Sequence, residues 1–106
     1  MAKYLISASY TAEGAKGVLK EGGTKRRQAA EQAIKSAGGK LEAFYFAFGE
    51  NDAVVIVDAP DHASVAAMSL AINASGAVRT KTVVLLTPEE IDQATKKSTA
   101  YRAPGH

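Results

Sequence analysis

Apolar and polar residues alternate in twos at the start of the chain, where Tyr4, Ile6, Ala8 and Tyr10 interleave with Leu5, Ser7 and Ser9. That period predicts a strand over Lys3 to Tyr10 with one face on a core. Thr11 can cap a turn of helix over Ala12 to Leu19, but Gly14 and Gly17 lower its propensity and Gly22-Gly23 interrupt it. Residues 11 to 23 are therefore expected to be a loop with a frayed helix. From Thr24 the spacing changes to threes and fours, with Ala29, Ala30, Ala33, Ile34 and Ala37 on one side, and Gly38-Gly39 supplies a left-handed stop. Leu41 to Phe48 alternates again. Gly49-Glu50-Asn51-Asp52 then contains residues that tolerate positive φ, which predicts a tight hairpin into a third strand, Ala53 to Ala59. That strand is apolar on both faces and should be central and covered twice.

Pro60 ends the third strand, and Asp61 can cap a helix in which Val65, Met68, Ala71 and Ile72 keep helical spacing as far as Ser75-Gly76. A fourth strand follows over Ala77 to Leu86. Thr87-Pro88-Glu89-Glu90 forms a capping box with proline at the first helical position, and Lys96-Lys97 complements the far end of that helix. The order strand, helix, strand, strand, helix, strand predicts an α+β, ferredoxin-like βαββαβ unit with an antiparallel four-stranded sheet and an added C-terminal helix. Residues 1–97 form one domain. Residues 98–106 lack periodicity and are expected to dock on a partner subunit, which would also give the central strand its second cover. The expected assembly is a homo-oligomer, a dimer or higher.

Composition removes several classes of chemistry. There is no cysteine among the 106 residues, so disulfide scaffolds, thiolate metal sites and thiol nucleophiles are excluded. The longest aliphatic run, Ala53 to Val57, is far below the ~20 residues that cross a bilayer, and the N-terminus lacks an export pattern, so the cytoplasm is the expected location. The net charge of +2 hides an asymmetry: residues 16–40 hold seven cations and two carboxylates, whereas residues 41–92 hold two cations and eight carboxylates. A nucleic-acid coat would spread positive charge over one large face. A basic segment beside an acidic body suits subunit contacts or a small anion instead.

Around the hairpin the chain resembles the GYD domain family, small bacterial proteins without an established activity, related to dimeric α+β barrels. The likeness runs from Tyr4 to Leu86. It rests on Ser9-Tyr10-Thr11, Gly14, the basic Lys25 to Arg27, Gly38-Gly39-Lys40-Leu41, Phe44-Tyr45, the Gly49 to Asp52 turn leading into Ala53 to Pro60, and Gly76 with Val78-Arg79-Thr80. Asn51 stands where the family usually has tyrosine, so no role of that tyrosine carries over. The resemblance implies a dimeric α+β barrel type of subunit whose open sheet face packs on another subunit. Relatives of that architecture include monooxygenases, isomerases, haem-degrading enzymes and ligand-sensing modules, so it implies no single chemistry.

Two groups of residues could bind a ligand. Thr24, Lys25, Arg26 and Arg27 follow two glycines at a helix start, where the dipole opposes cations and favours an anion among them. The alternative is that these side chains extend into water, where salt screens the cost. On the fourth strand Arg79 and Lys81 share one face, the face that also takes Ser7 and Ser9 of the first strand. Hydroxyls and cations could converge there with Tyr45 or Phe44, Phe46 and Phe48 as an apolar wall, or Arg79 could pair with a carboxylate such as Asp58 across subunits. Asp52 and Tyr45 are the candidate proton carriers, although an Asp closing such a turn commonly accepts backbone N–H groups. His62 and His106 have no metal-ligand spacing, and no nucleophile elbow, phosphate loop or dinucleotide fingerprint is present, so neither metal nor cofactor is expected.

The leading expectation is an oligomeric protein that binds a small anionic or aromatic molecule at the sheet face or subunit interface. The alternatives are a cofactor-free, monooxygenase-like or isomerase-like enzyme of the dimeric-barrel kind, with Arg79 stabilising negative charge, and a purely structural self-assembling protein. Neither a membrane nor a nucleic acid is an expected partner.

Overall fold

The computed structural model describes all 106 residues. Its elements are β1 (Ala2–Tyr10), α1 (Ala12–Glu21), α2 (Gly23–Ser36), β2 (Lys40–Phe46), β3 (Ala53–Ala59), α3 (His62–Ala74), β4 (Val78–Leu85) and α4 (Pro88–Thr95). The four strands form one antiparallel sheet in the order β2-β3-β1-β4. This is the ferredoxin-like arrangement predicted from the order of elements.

Alternation decides which residues enter the core. Tyr4, Ile6 and Ala8 of β1 and Ala53, Val55, Val57 and Ala59 of β3 are buried under the helices, joined by Ile34 of α2 and by Val65 and Met68 of α3. No side-chain nitrogen or oxygen is buried without a hydrogen-bond partner. The residues between them in β1 and β3 form the opposite face, which no element of the same chain covers. There Leu5 lies opposite Ile56 and Val83, Ser7 opposite Val54 and Lys81, and Ser9 opposite Arg79. β3 is central in the sheet, but its second face, expected to be covered, stays open in the single subunit.

Residues 11–23 depart from the expected loop. Ala12–Glu21 is a complete helix, capped by the Thr11 side chain, which accepts from the Gly14 N–H at 3.2 Å. Tertiary contacts override the glycine penalty. Thr11 N–H donates to the Ala77 carbonyl at 3.0 Å, its hydroxyl donates to the Gly76 carbonyl at 2.9 Å, and Gly14 lies so close to Ala77 that only a residue without Cβ fits. Gly22, at φ +84°, joins α1 directly to α2.

The 47–52 turn also differs. It is a six-residue loop with no positive φ, held by Ala47 N–H to Asp52 O and Asp52 N–H to Ala8 O, each 2.8 Å. Pairing of Asp52 with β1 lets β3 reach the edge of the loop, so a left-handed turn is unnecessary. The predicted capping box is present: Thr87 accepts from Glu90 N–H, and the Glu90 carboxylate accepts from Thr87 N–H. Beyond β4, α4 and residues 96–106 project from the body, every residue from Pro88 onward being exposed. The radius of gyration is 16.9 Å and the long axis 56 Å, against about 13 Å expected for a compact chain of this length. No residue of the tail is buried. No helix is long and apolar enough to cross a membrane.

Candidate functional site

Ser7, Ser9, Arg79 and Lys81 come together on the open face. Antiparallel register puts Ser9 beside Arg79 and Ser7 beside Lys81, and the four line one shallow hollow with Glu50, Asn51 and Asn73. Its walls contain no apolar side chain. Neither cation has an ion pair, because the two ion pairs of the chain both belong to Lys3, which bridges Glu42 at 2.9 Å and Asp58 at 3.0 Å at the other end of the face. Asp58 is therefore committed within its own subunit. Two cations and two hydroxyls in one concavity can hold a small hydrophilic anion through charge-assisted hydrogen bonds.

The aromatic wall expected for this hollow is elsewhere. Tyr45 shares the open face but lies in a row that runs Tyr45, Val54, Ser7, Lys81 across the four strands. Two strand spacings, roughly 10 Å, separate it from Ser7. It lines a groove with Arg27, Gln28 and Glu31 instead. Phe44 and Phe46 face the helices, their rings 5.2 Å apart, and Phe46 lies beside Tyr10. Phe48 is in the loop and exposed.

The four residues of the basic helix start do not share one environment. Consecutive helical residues point about 100° apart, so exposed Lys25 leaves the side shared by exposed Thr24 and Arg27, and Arg26 turns inward and is half-buried. It lines an apolar cavity between the helices and the sheet and adjoins the Tyr10 hydroxyl. Burial holds the Tyr10 phenol above its ordinary pKa, and the neighbouring Arg26 charge and hydrogen bond oppose that shift. Asp52 is close by, but its Oδ2 accepts from Tyr10 N–H at 2.8 Å, a structural bond in a carboxylate considered as a base. Asp52 and Tyr45 line different grooves.

The pairing of Tyr10 with Arg26 was not visible in the sequence, since sixteen residues separate them and only the packing of α2 over the sheet brings them together. The same is true of buried Tyr4, whose hydroxyl is 2.6 Å from His62 Nδ1 at the start of α3. No group of three or more His, Cys, Asp or Glu side chains could hold a metal.

The sequence profile described as the GYD domain matches residues 4–95. No curated protein matches the chain. Among solved structures, the crystal structure of MtbAldR is similar, with a TM-score of 0.61 and 18% identity over 81% of this chain and 52% of that one. At that identity the likeness shows the fold alone, and this chain spans about half the length of MtbAldR.

Proposed function

The chain belongs to the GYD domain family, and from that premise we propose that it is a self-associating protein that binds a small hydrophilic anion in the Ser7, Ser9, Arg79 and Lys81 hollow, with a second copy covering the open sheet face beside it. The observation that carries the reading is the hollow itself: two cations without ion pairs share it with two hydroxyls on a rigid sheet. Unpaired cations fixed by strand geometry need no reorganisation to accept an anion. Self-association is supported by the stripe of Leu5, Val54, Ile56 and Val83, whose last member is 55% exposed in the single subunit. A second sheet laid on it would bury the stripe. The solvated arm of α4 and the tail would then have a neighbour to dock on.

Binding is favoured over catalysis by the separation of the two proton-carrier candidates and by the structural bond that Asp52 makes. Native mass spectrometry of the intact protein, followed by calorimetric titration with inorganic phosphate, tests the proposal. The expected result is an oligomer that binds phosphate and an Arg79→Ala variant that keeps the oligomer and loses at least tenfold in affinity. A monomer, or an Arg79→Ala variant that dissociates before binding is affected, would overturn it. An oligomer that binds no phosphate would leave the structural-assembly reading standing.

A further inference from the structure

The two layers of the fold do not close completely. Between α2, α3 and the helix-facing side of the sheet is a cavity of about 70 Å³, walled by Ile6, Ile34, Phe44, Val55 and Met68. Besides the Tyr10 phenol, only Arg26 and Thr80 bring polar side chains to it. The Thr80 hydroxyl accepts from Asn73 Nδ2 at 2.8 Å. Arg26 is left without a carboxylate: no Asp or Glu lies within ion-pair distance of it. A half-buried guanidinium beside an apolar void is an arrangement that folding alone does not favour, because the charge loses part of its hydration and gains no counter-charge.

The surface turned to the cavity is almost wholly apolar, so water fills it poorly, since a buried water needs two to four polar partners. An apolar group fits it, and the cation at the rim calls for an anion on that group. We propose that this cavity is a binding site for a short apolar monocarboxylate, with the alkyl part in the cavity and the carboxylate on Arg26. The guanidinium fork matches a carboxylate in a bidentate pair, and the Tyr10 hydroxyl beside it can donate a third hydrogen bond. A phenol is protonated at neutral pH, the state that donates, and burial shifts this one further that way. Size limits the alkyl part. An engineered cavity of about 150 Å³ holds benzene, so ~70 Å³ accommodates about three carbons beyond the carboxylate. Access runs past Arg26 and Tyr10, which also line a second, open groove of about 240 Å³ against Gly14 and Gly17 of α1.

This site is on the opposite side of the sheet from the Ser7, Ser9, Arg79 and Lys81 hollow, so either can fail alone. The test is titration of the intact protein with sodium isobutyrate, which carries three carbons beyond its carboxylate, against sodium chloride, followed by methyl NMR. Saturable shifts of the Ile6, Val55 and Met68 methyl groups are expected, with isobutyrate-to-methyl NOEs. Arg26→Met, which keeps the apolar stem, should weaken binding at least tenfold, Arg26→Lys should restore part of it, and Arg79→Ala should leave it unchanged. Ala30→Val, which reduces the cavity, should abolish binding while the protein melts at a higher temperature. Absence of saturable shifts, full binding by Arg26→Met, or shifts that vanish in Arg79→Ala would overturn the proposal.

Discussion

Two glycines three residues apart in α1 should respond to the same substitution with opposite signs. In an exposed helix Gly→Ala stabilises by roughly 0.5–1 kcal/mol, because alanine loses less backbone entropy on folding. Gly17 is half-buried, but a Cβ built there has nothing within 4 Å, so the same gain applies. At Gly14 the added Cβ would be 2.0 Å from the Ala77 carbonyl oxygen, where ordinary contact begins at 3.4 Å, so α1 must withdraw by about 1.4 Å. That movement acts directly on the bonds from Thr11 to the Ala77 and Gly76 carbonyls, at 3.0 and 2.9 Å. Two hydrogen bonds at about 0.5–1.5 kcal/mol each are at stake, and overpacking alone costs about 1–3 kcal/mol. After the helix gain is subtracted, Gly14→Ala should destabilise by at least about 1 kcal/mol. The two variants should therefore differ by at least about 1.5 kcal/mol, which at 4–8 °C per kcal/mol is a gap of at least about 6 °C in Tm. Urea denaturation gives the free energies, and amide exchange should show loss of protection confined first to α1. Equal stability of the two variants would refute the reasoning, since it would mean that α1 does not rest on the start of β4.

Asp52→Ala leaves the Tyr10 N–H without its acceptor and should cost about 1–3 kcal/mol in urea denaturation; unchanged stability would return Asp52 to the list of free bases. The Asp61 carboxyl is held below its ordinary value by accepting from Ser64 N–H. Its capping contribution is thus complete at neutral pH and lost as pH falls through that lowered value, so Asp61→Ala should melt below the parent at pH 7 and converge with it in strong acid. Lys3 is held above the ordinary lysine value, chiefly by its hydrogen bond to Glu42 and next by that to Asp58. Its contribution is present below the unfolded lysine value and lost as pH rises through the raised one. A Lys3→Met variant should melt below the parent at pH 8 and approach it at high alkaline pH; parallel melting curves at all pH values would exclude the bridge.

Much of the fold was legible because its signals are local. The alternation of Tyr4, Ile6 and Ala8 with Leu5, Ser7 and Ser9 assigns each to a face without knowledge of the neighbouring strand, and the Asp61 and Thr87 caps lie within three residues of the N–H groups they accept. Parity also foretold that Arg79 and Lys81 share a face with the two serines, and β1 and β4 pair as the topology required. Where local rules failed, a distant group intervened. Propensity made residues 11–23 a loop, but the Gly76 and Ala77 carbonyls anchor Thr11 across 65 and 66 residues of sequence. The Gly49–Asp52 segment contained residues suited to positive φ, yet β1 supplies Asp52 with a partner that makes it unnecessary.

The sequence by itself determined the order of the strands and of every helix but α1, the inward and outward residues of each strand, and the absence of thiol chemistry. Each follows from residue type and spacing along one chain. Tertiary structure alone decided that Tyr45 stands apart from the cationic hollow, that Arg26 leaves its basic neighbours to meet Tyr10, and that an apolar cavity remains beside them. Those facts depend on how far apart strands lie and on how side chains from α2, α3 and the sheet fill shared volume. Volume is a property of all the packed elements together, and spacing within any one of them does not contain it.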